Sequence, residues 1–375
     1  MRINTTLFGG LNLLTHCPLI GAVETYDFLT AINESFNGIE ERTPLRDKPK
    51  QQFSIDFSNL STDFIEQYVD IRRKWAVPFN QEVQYVGTVS GDMIACDVNA
   101  SDFRADSLAL IKSGNDIRIA EIEEVLEDGL KLYSAIDEIQ DAAIASLKIC
   151  IIDGDIQRNF KLTHVMNAVK FLVIDVNEII EEVPNQFKDK DIYFLEFKES
   201  GTTFNSAISK QQDLIDYDIG LFSTRTRWNN ARFMRDWNVV FKTRAELFNF
   251  KKFMFRRLGK YREFWLPTNE RNLILKSTGN ITTTVDVELI NVNWRDRKNL
   301  AFKVNGEWLA RTATTVSTVN GNTRFVLDQP LNVNASNVEL ISHLGLYRLN
   351  TDTIDIDFLG NGVAKSSLSL VELNG

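Results

Sequence analysis

The chain has 375 residues, of which 43% are hydrophobic and 25% are charged, as is typical of a folded globular protein with two or three domains. Its formal net charge of −9 argues against broad, sequence-independent nucleic-acid binding, which needs a basic face. Its three cysteines, Cys17, Cys96 and Cys150, are too far apart to indicate a disulfide framework or a zinc site.

The N-terminal 35 residues are predicted to be a leader. An apolar stretch within them, Leu7–Val23, is interrupted by Asn12, His16 and Pro18, so a signal peptide is not expected. No run of apolar residues in the chain reaches the 18 or so that a membrane-spanning helix needs, and membrane insertion is not expected.

A strand-and-helix pattern occurs twice, with a shift of 184 residues. The stretch FSIDFSNLSTDFIEQYVDIRR, from Phe53, aligns without a gap on WNVVFKTRAELFNFKKFMFRR, from Trp237. Each copy begins with alternating apolar residues, which predict a half-buried strand. A helix is predicted to follow in each copy. Thr243 and Glu246 predict a capping box at the start of the second helix, and Gly259 predicts its end.

The first helix is predicted from apolar residues that recur on one helical face, namely Phe64, Tyr68, Ile71 and Trp75. Further along, Val125–Ile136 and Thr318–Leu331 each combine a glycine turn with alternating apolar residues, which predicts a hairpin in each copy. Arg158 is predicted to correspond to Arg348, with a shift of 190. An internal duplication explains these correspondences because they occur in the same order in both halves.

The duplication divides the chain into four parts. These are a leader (1–35), a first unit (36–183), a connector (184–219) and a second unit (220–375). Short strands and glycine turns predict a small barrel or sandwich inserted in each unit, at 80–145 and at 268–340. The expected fold class is α+β and mainly β, with two tandem sandwich-plus-helix units.

The search for catalytic motifs is mostly negative. The three histidines are isolated, and the sequence contains no nucleophile-elbow, Walker or dinucleotide-binding motif. We therefore expect neither an enzyme nor a bound cofactor. The segment DTIDIDF contains Asp355 and Asp357, which could bind a divalent metal, but they alternate with apolar residues. This alternation favours a strand with an acidic outer face.

Arginines are concentrated in two segments, each directly before a predicted first strand. These segments could contact phosphate or a stacked base, but the acidic composition favours a protein interface, where arginine and tryptophan are enriched. The subunit-interface candidates are Arg42, Arg46, Arg225, Arg227, Trp228, Arg232 and Arg235.

These segments resemble a family of minor tail proteins of long-tailed bacteriophages. The phrase GIEERTPLR, at residues 38–46, matches the family's G-x-E-x-R-x-x-L-R pattern at Gly38, Glu40, Arg42, Leu45 and Arg46. The second copy resembles the strand–helix unit of phage distal tail proteins, whose pattern Arg256, Gly259 and Phe264 occupy. Matching is weak over residues 184–219.

The resemblance implies a tail-tube-like fold and a structural protein of the virion, located in the tail tip and assembled in the host cytoplasm. It implies a homo-oligomeric ring that joins the tail tube to the distal tip or baseplate and through which DNA passes. Either three chains supply six quasi-equivalent units or six chains form a hexamer. Tail-tube, tape-measure, hub or fibre proteins would be its partners. Asp355 and Asp357 could then line the channel and repel DNA.

Two other functions compete with this one. A receptor- or glycan-binding module of the tail tip could present Trp294 and Trp308 to sugars. A cell-wall hydrolase is the third hypothesis, and the lack of a paired nucleophile and base or of a zinc motif argues against it.

Overall fold

A computed structural model describes residues 11–14, 19, 21–35, 39–58, 74–78, 83–161, 164–174, 183–194, 206–209, 212–216, 218, 220, 222–226, 232–290, 297–360 and 362–373. Over these residues the protein is mainly β, which confirms the predicted class. They contain 28 strands, one α-helix and two short 3-10 helices, at Val98–Ala100 and Ala335–Asn337.

The strands of the first half are β1 (Leu11–Leu13), β2 (Val23–Asp27), β3 (Thr30–Glu34), β4 (Glu40–Pro44), β5 (Lys50–Ser58), β6 (Lys74–Pro78), β7 (Gln84–Ala95), β8 (Leu108–Ser113), β9 (Asp116–Val125), β10 (Gly129–Ile152), β11 (Gln157–Phe160) and β12 (Val165–Val173). Trp75 is buried in β6, so the predicted first helix cannot extend that far. The rest of that predicted helix lies outside the described residues.

The elements of the second half are β13 (Gln186–Phe187), β14 (Lys190–Asp191), β15 (Ser206–Ser209), β16 (Gln212–Asp216), β17 (Phe222–Thr226), β18 (Arg232–Phe241), α1 (Arg244–Arg257), β19 (Phe264–Pro267), β20 (Asn280–Ile281), β21 (Thr284–Val287), β22 (Asn299–Val304), β23 (Glu307–Val319), β24 (Asn322–Leu327), β25 (Val333–Asn334), β26 (Val338–Leu349), β27 (Thr353–Gly360) and β28 (Val363–Leu373).

Helix α1 begins and ends as the sequence predicts. The Thr243 hydroxyl accepts a hydrogen bond from the backbone N–H of Glu246, and the Glu246 carboxylate accepts one from the N–H of Lys242. At the other end, Leu258 and Gly259 both have positive φ, 52° and 66°, in the left-handed region that terminates helices. One face of α1 is buried in the largest hydrophobic core.

A central sheet runs through both halves of the chain. Its strands lie in the order β11–β12–β5–β2–β27–β28–β18–β15, and all these pairs are antiparallel. The ends of β12 and β28 pair with β10 and β26, and these strands in turn pair with β6 and β19. Strand β2 joins the halves because it lies between β5 and β27.

The two regions that were predicted as inserts each contain a hydrophobic cluster distinct from the main core. In the first, the long strand β10 pairs with β9 near its start and with β8 further along, and β8 pairs with β9. In the second, β21, β24, β23, β22 and β26 pair in that order. Strands β10 and β26 each continue from one of these regions into the central sheet. The predicted boundary at 145 therefore lies within β10, and the one at 340 lies near the start of β26.

Both predicted hairpins are confirmed. Strand β2, within the predicted leader, and strand β15, within the predicted connector, both lie in the central sheet. The correspondence of Arg158 with Arg348 is wrong. Arg158 is exposed on the edge strand β11, whereas Arg348 is 6% exposed on β26.

Candidate functional site

The central sheet has one apolar face and one polar face. Ile354, Ile356 and Phe358 of β27 are buried in the main core, and Asp355 and Asp357 between them point away from it. Directly opposed residues of antiparallel strands share a face, so the register extends this polar face across neighbouring strands. Asp355 and Asp357 therefore lie on a continuous polar surface, which we call the outer face.

The outer face carries mainly hydroxyl, amide and carboxylate groups. Asp355 accepts a 2.6 Å hydrogen bond from Thr25, and Asp357 lies 3.6 Å from the ammonium of Lys365. The register places on this face the acids Asp27, Asp56, Asp236, Asp355 and Asp357 and the bases Lys50, Lys170 and Lys365. Acidic groups thus outnumber basic groups, and the prediction that Asp355 and Asp357 line a channel remains a prediction.

Two of the predicted arginines, Arg42 and Arg232, lie with Arg348 around one carboxylate, that of Glu40 on strand β4. The guanidinium of Arg348 donates two hydrogen bonds to it, at 2.7 and 2.8 Å, and Arg232 donates another at 2.9 Å. Arg42 forms ion pairs with Glu40 and with Glu263. We call these residues, together with Glu34, which pairs with Arg232, the Glu40 cluster.

The Glu40 cluster lowers the pKa of both central carboxylates. For Glu40, burial favours the neutral acid, but the hydrogen bond from Arg348 and the charges of three arginines outweigh it and lower the pKa. For Glu263, burial is likewise outweighed by contacts with Lys190 and Arg42, and its pKa is also lowered. Both carboxylates are therefore ionised at neutral pH and hold two halves of one chain together.

These contacts bear on the subunit-interface candidates. Arg42 and Arg232 are largely buried and pair with carboxylates of the same chain, and their place in a subunit interface stays a prediction. The guanidinium of Arg235 also donates hydrogen bonds within the chain, to the carboxylate of Glu270 at 2.6 Å and to the backbone carbonyl of Thr268.

The remaining interface candidates keep their status as predictions. Arg46 pairs with Asp27 at 3.0 Å, and its side chain is 27% exposed. Arg225 is exposed on β17. Arg227 and Trp228 lie outside the described residues.

The structure contains a second charged cluster, which was not predicted from the sequence. Asp102 accepts two 2.8 Å hydrogen bonds from Arg104 and lies 3.5 Å from the ammonium of Lys148. Nearby, Lys251 of α1 pairs with Glu24 of β2 at 2.8 Å, and Gln51 donates to Glu24 and accepts from Arg104. We call these six buried residues the Asp102 cluster.

The Asp102 cluster joins the Asp102–Arg104 segment to strands β2, β5 and β10 and to helix α1. Burial alone would raise the pKa of Asp102, but the charges of Arg104 and Lys148 lower it well below its usual range. The same pairing raises the pKa of Arg104 against the effect of burial. The sequence indicated this cluster only through Asp102 and Arg104 in the stretch DFRAD. The fold brings Lys148, Glu24 and Lys251 close to them.

Trp308, which the alternative glycan-binding function would present to sugars, is partly buried. Its ring is stacked on Phe194 at a centroid distance of 6.0 Å and packs against the core around Ile192 and Trp265. Trp294 lies outside the described residues.

Within the described ranges, no group of three or more histidine, cysteine, aspartate or glutamate residues is arranged to hold a metal ion. No helix in the part of the chain that the structure describes is long and apolar enough to cross a membrane. A scan of protein-family models finds no match to this chain, and a search of curated proteins finds no similar sequence.

Proposed function

We propose that this protein is a structural component of a bacteriophage tail tip that forms a ring around the tail axis, joins the tail tube to the distal tip or baseplate, and leaves a channel for DNA. The observation that carries the proposal is a repeated strand arrangement. In the first half the order is β5–β12–β10–β6, and in the second half it is β18–β28–β26–β19.

The register of the equivalent strands also agrees. Phe53 lies opposite Phe171 in the first half, and Trp237 lies opposite Leu368 in the second. Moving along both pairs of strands, Ile55 opposite Val169 is matched by Val239 opposite Ser366. The shift is therefore 184 residues on one strand and 197 on its partner throughout, as a gene duplication with loops of different length would produce.

The repeat extends further towards the N-terminus than the sequence analysis placed it. Hairpin β3–β4 is matched by hairpin β16–β17, and each of its four bounds is shifted by 182 residues (30 to 212, 34 to 216, 40 to 222 and 44 to 226). Strand β2 precedes the first hairpin and pairs with β5, just as β15 precedes the second and pairs with β18. In our proposal each tail-tube-like unit therefore begins with one of these strands.

Two tandem units suit a ring because successive units can be related by a constant rotation about an axis. The outer face supports a role as a channel wall. Its excess of carboxylates would repel the phosphates of DNA in transit. Most of the arginines that could have contacted phosphate pair with carboxylates of the same chain.

Electron microscopy of the purified protein, combined with native mass spectrometry, tests the proposal. We expect closed rings with a central hole wide enough for a DNA duplex, and a mass of three chains if each chain supplies two of six positions or six chains if only one unit lines the ring. A protein that remains a monomer over the full concentration range would contradict the proposal.

A further inference from the structure

The two units meet inside one chain through a specific backbone junction. Strand β2, the first strand of unit one, pairs antiparallel with β27 of unit two over five residues, from Val23 opposite Asp357 to Asp27 opposite Thr353. By the repeat described above, the counterpart of β2 is β15 in unit two, and the counterpart of β27 is β11 in unit one. Among the described strands, β15 pairs with β18 alone and β11 pairs with β12 alone.

The two strand edges at the ends of the sheet carry apolar side chains. Phe160 on β11 is 72% exposed, and Ile208 on β15 is 66% exposed. An exposed strand edge with apolar residues invites pairing with another chain, and proteins usually cover or charge such edges. By contrast, the equivalent edge of β27 is covered by β2, and Ile354 and Ile356 there are buried.

We infer that β15 of one copy of this chain pairs antiparallel with β11 of a second copy, and that this contact repeats between chains the β2–β27 junction within a chain. The contact is heterologous, because it joins two different edges, and such contacts close into a ring when the rotation per unit is right. The inference rests on the proposed function for the closure of the ring, but the edge contact itself rests on the repeat.

Pairing of these two edges within one chain is disfavoured by the order of the sheet. Six strands separate β11 from β15, which corresponds to about 30–35 Å at the usual spacing of paired strands. The partner of each edge is therefore a neighbouring copy, and backbone hydrogen bonds together with the apolar side chains of Phe160 and Ile208 would carry the contact.

Lysine substitutions at the two edges test the contact. We expect Ile208→Lys and Phe160→Lys each to abolish assembly in native mass spectrometry and to leave the far-ultraviolet circular dichroism spectrum unchanged, because both side chains are exposed in the single chain. Leu214→Lys, at a residue of hairpin β16–β17 that is 64% exposed, is the matched control and should assemble like the unmodified protein. Assembly that survives both edge substitutions would overturn the inference.

Cysteine cross-linking provides an independent readout. Asn159→Cys is combined in turn with Ala207→Cys, Ile208→Cys and Ser209→Cys, and oxidised samples are separated by size without reductant. We expect at least one combination to form cross-linked chains of two or more copies, whereas the single variants and the unmodified protein do not. No cross-link in any combination would contradict the inference.

The experiments separate the inference from the proposed function. Rings that form without cross-linking at these edges would refute the edge contact and leave the proposed function intact. Cross-linked chains that grow as open filaments would support the edge contact and refute the ring. An unmodified protein that does not assemble, together with paired cysteine variants that do not cross-link, would refute both.

Discussion

The two halves of the molecule share a backbone arrangement but not the side chains that hold it. In both halves the final long strand, β12 or β28, pairs in matching register with β5 or β18. The polar contacts differ. The Asp102 cluster is fully buried and ties the first insert to the sheet and helix, whereas the Glu40 cluster lies closer to the surface and ties β4 to β18 and β26. Backbone pairing is thus the repeated feature, which suits assembly through strand edges.

The largest expected effect is at the Asp102 cluster. Asp102→Ala leaves Arg104 and Lys148 buried without their carboxylate, and removal of one partner from a buried ion pair costs about 3–5 kcal/mol. Urea unfolding measures this loss. Asp116→Ala, which removes an exposed pair with Arg118, is the control and should cost less than about 1 kcal/mol. Equal losses for the two variants would mean that the buried cluster contributes no more than a surface pair.

The end of α1 has no room for a side chain at Gly259. A Cβ atom there would lie 2.3 Å from the carboxylate of Asp352 and 2.8 Å from Phe28, and the residue has a φ of +66°. We expect Gly259→Ala to lose about 2–4 kcal/mol, from both backbone strain and overpacking.

Gly279→Ala is the matched control for the glycine prediction. Gly279 has a φ of +75° but open space around it, so this variant should show only the backbone cost of about 1–2 kcal/mol. Thermal and urea unfolding compare the two variants. If both lost the same stability, the close approach of Asp352 would be irrelevant.

The Glu40 cluster should make stability depend on acid. Glu40→Gln weakens charged hydrogen bonds from Arg232 and Arg348, and we expect a loss of about 2 kcal/mol at pH 7. Because the pKa of Glu40 is lowered in the fold, its contribution is complete above the ordinary value of 4.5 and is lost as pH falls through the lowered pKa. The difference between variant and unmodified protein should therefore shrink in acid. A difference independent of pH would contradict the ionised state of Glu40.

His343 should make stability depend on pH in a different range. Burial, together with the positive charge of Arg297, lowers its pKa from 6.5 to about 4. The neutral ring is thus favoured in the fold, and its contribution is complete above pH 6.5 and is lost as pH falls from 6.5 to about 4. Unfolding measured across this range should show a decline that His343→Gln removes. The same decline in the variant would assign it to other groups.

The smallest effect on stability is expected on the outer face. Asp355→Asn and Asp357→Asn remove exposed or half-exposed charges and should change the free energy of unfolding by no more than about 0.5 kcal/mol. The double variant Asp355→Lys with Asp357→Lys should instead retain duplex DNA in the assembled protein at low salt, and lose it as salt rises. Equal retention of DNA by unmodified and lysine variants would argue against a channel wall on this face.

Sequence alone predicted the elements that depend on local chemistry. The alternation around Phe53 and Trp237 gave two strands, and Thr243 with Gly259 gave both ends of α1. Sequence reasoning failed where the position of a residue depends on the pairing register of strands that are distant in the chain. Alternation has a period of two residues, so it could not show that Arg158 and Arg348 occupy different positions. Nor could composition show that hairpin β16–β17 has the same spacing and pairing as hairpin β3–β4, because the two hairpins have few residue types in common.

The candidate site was harder to predict for the same reason. Arg42 and Arg232 were identified as an unusual concentration of charge, but the carboxylate that uses them, Glu40, reaches Arg348 across 308 residues of sequence. A pattern of charges shows that partners are needed, and only the fold decides whether they lie in the same chain.

A reconstruction of the assembled protein by cryo-electron microscopy would test the central claim most directly, because it shows the contact between chains beside the contact within a chain. We predict a closed ring in which β15 of each chain pairs with β11 of the next in the geometry of β2 and β27. A ring built through unrelated surfaces, or a particle of one chain, would contradict it.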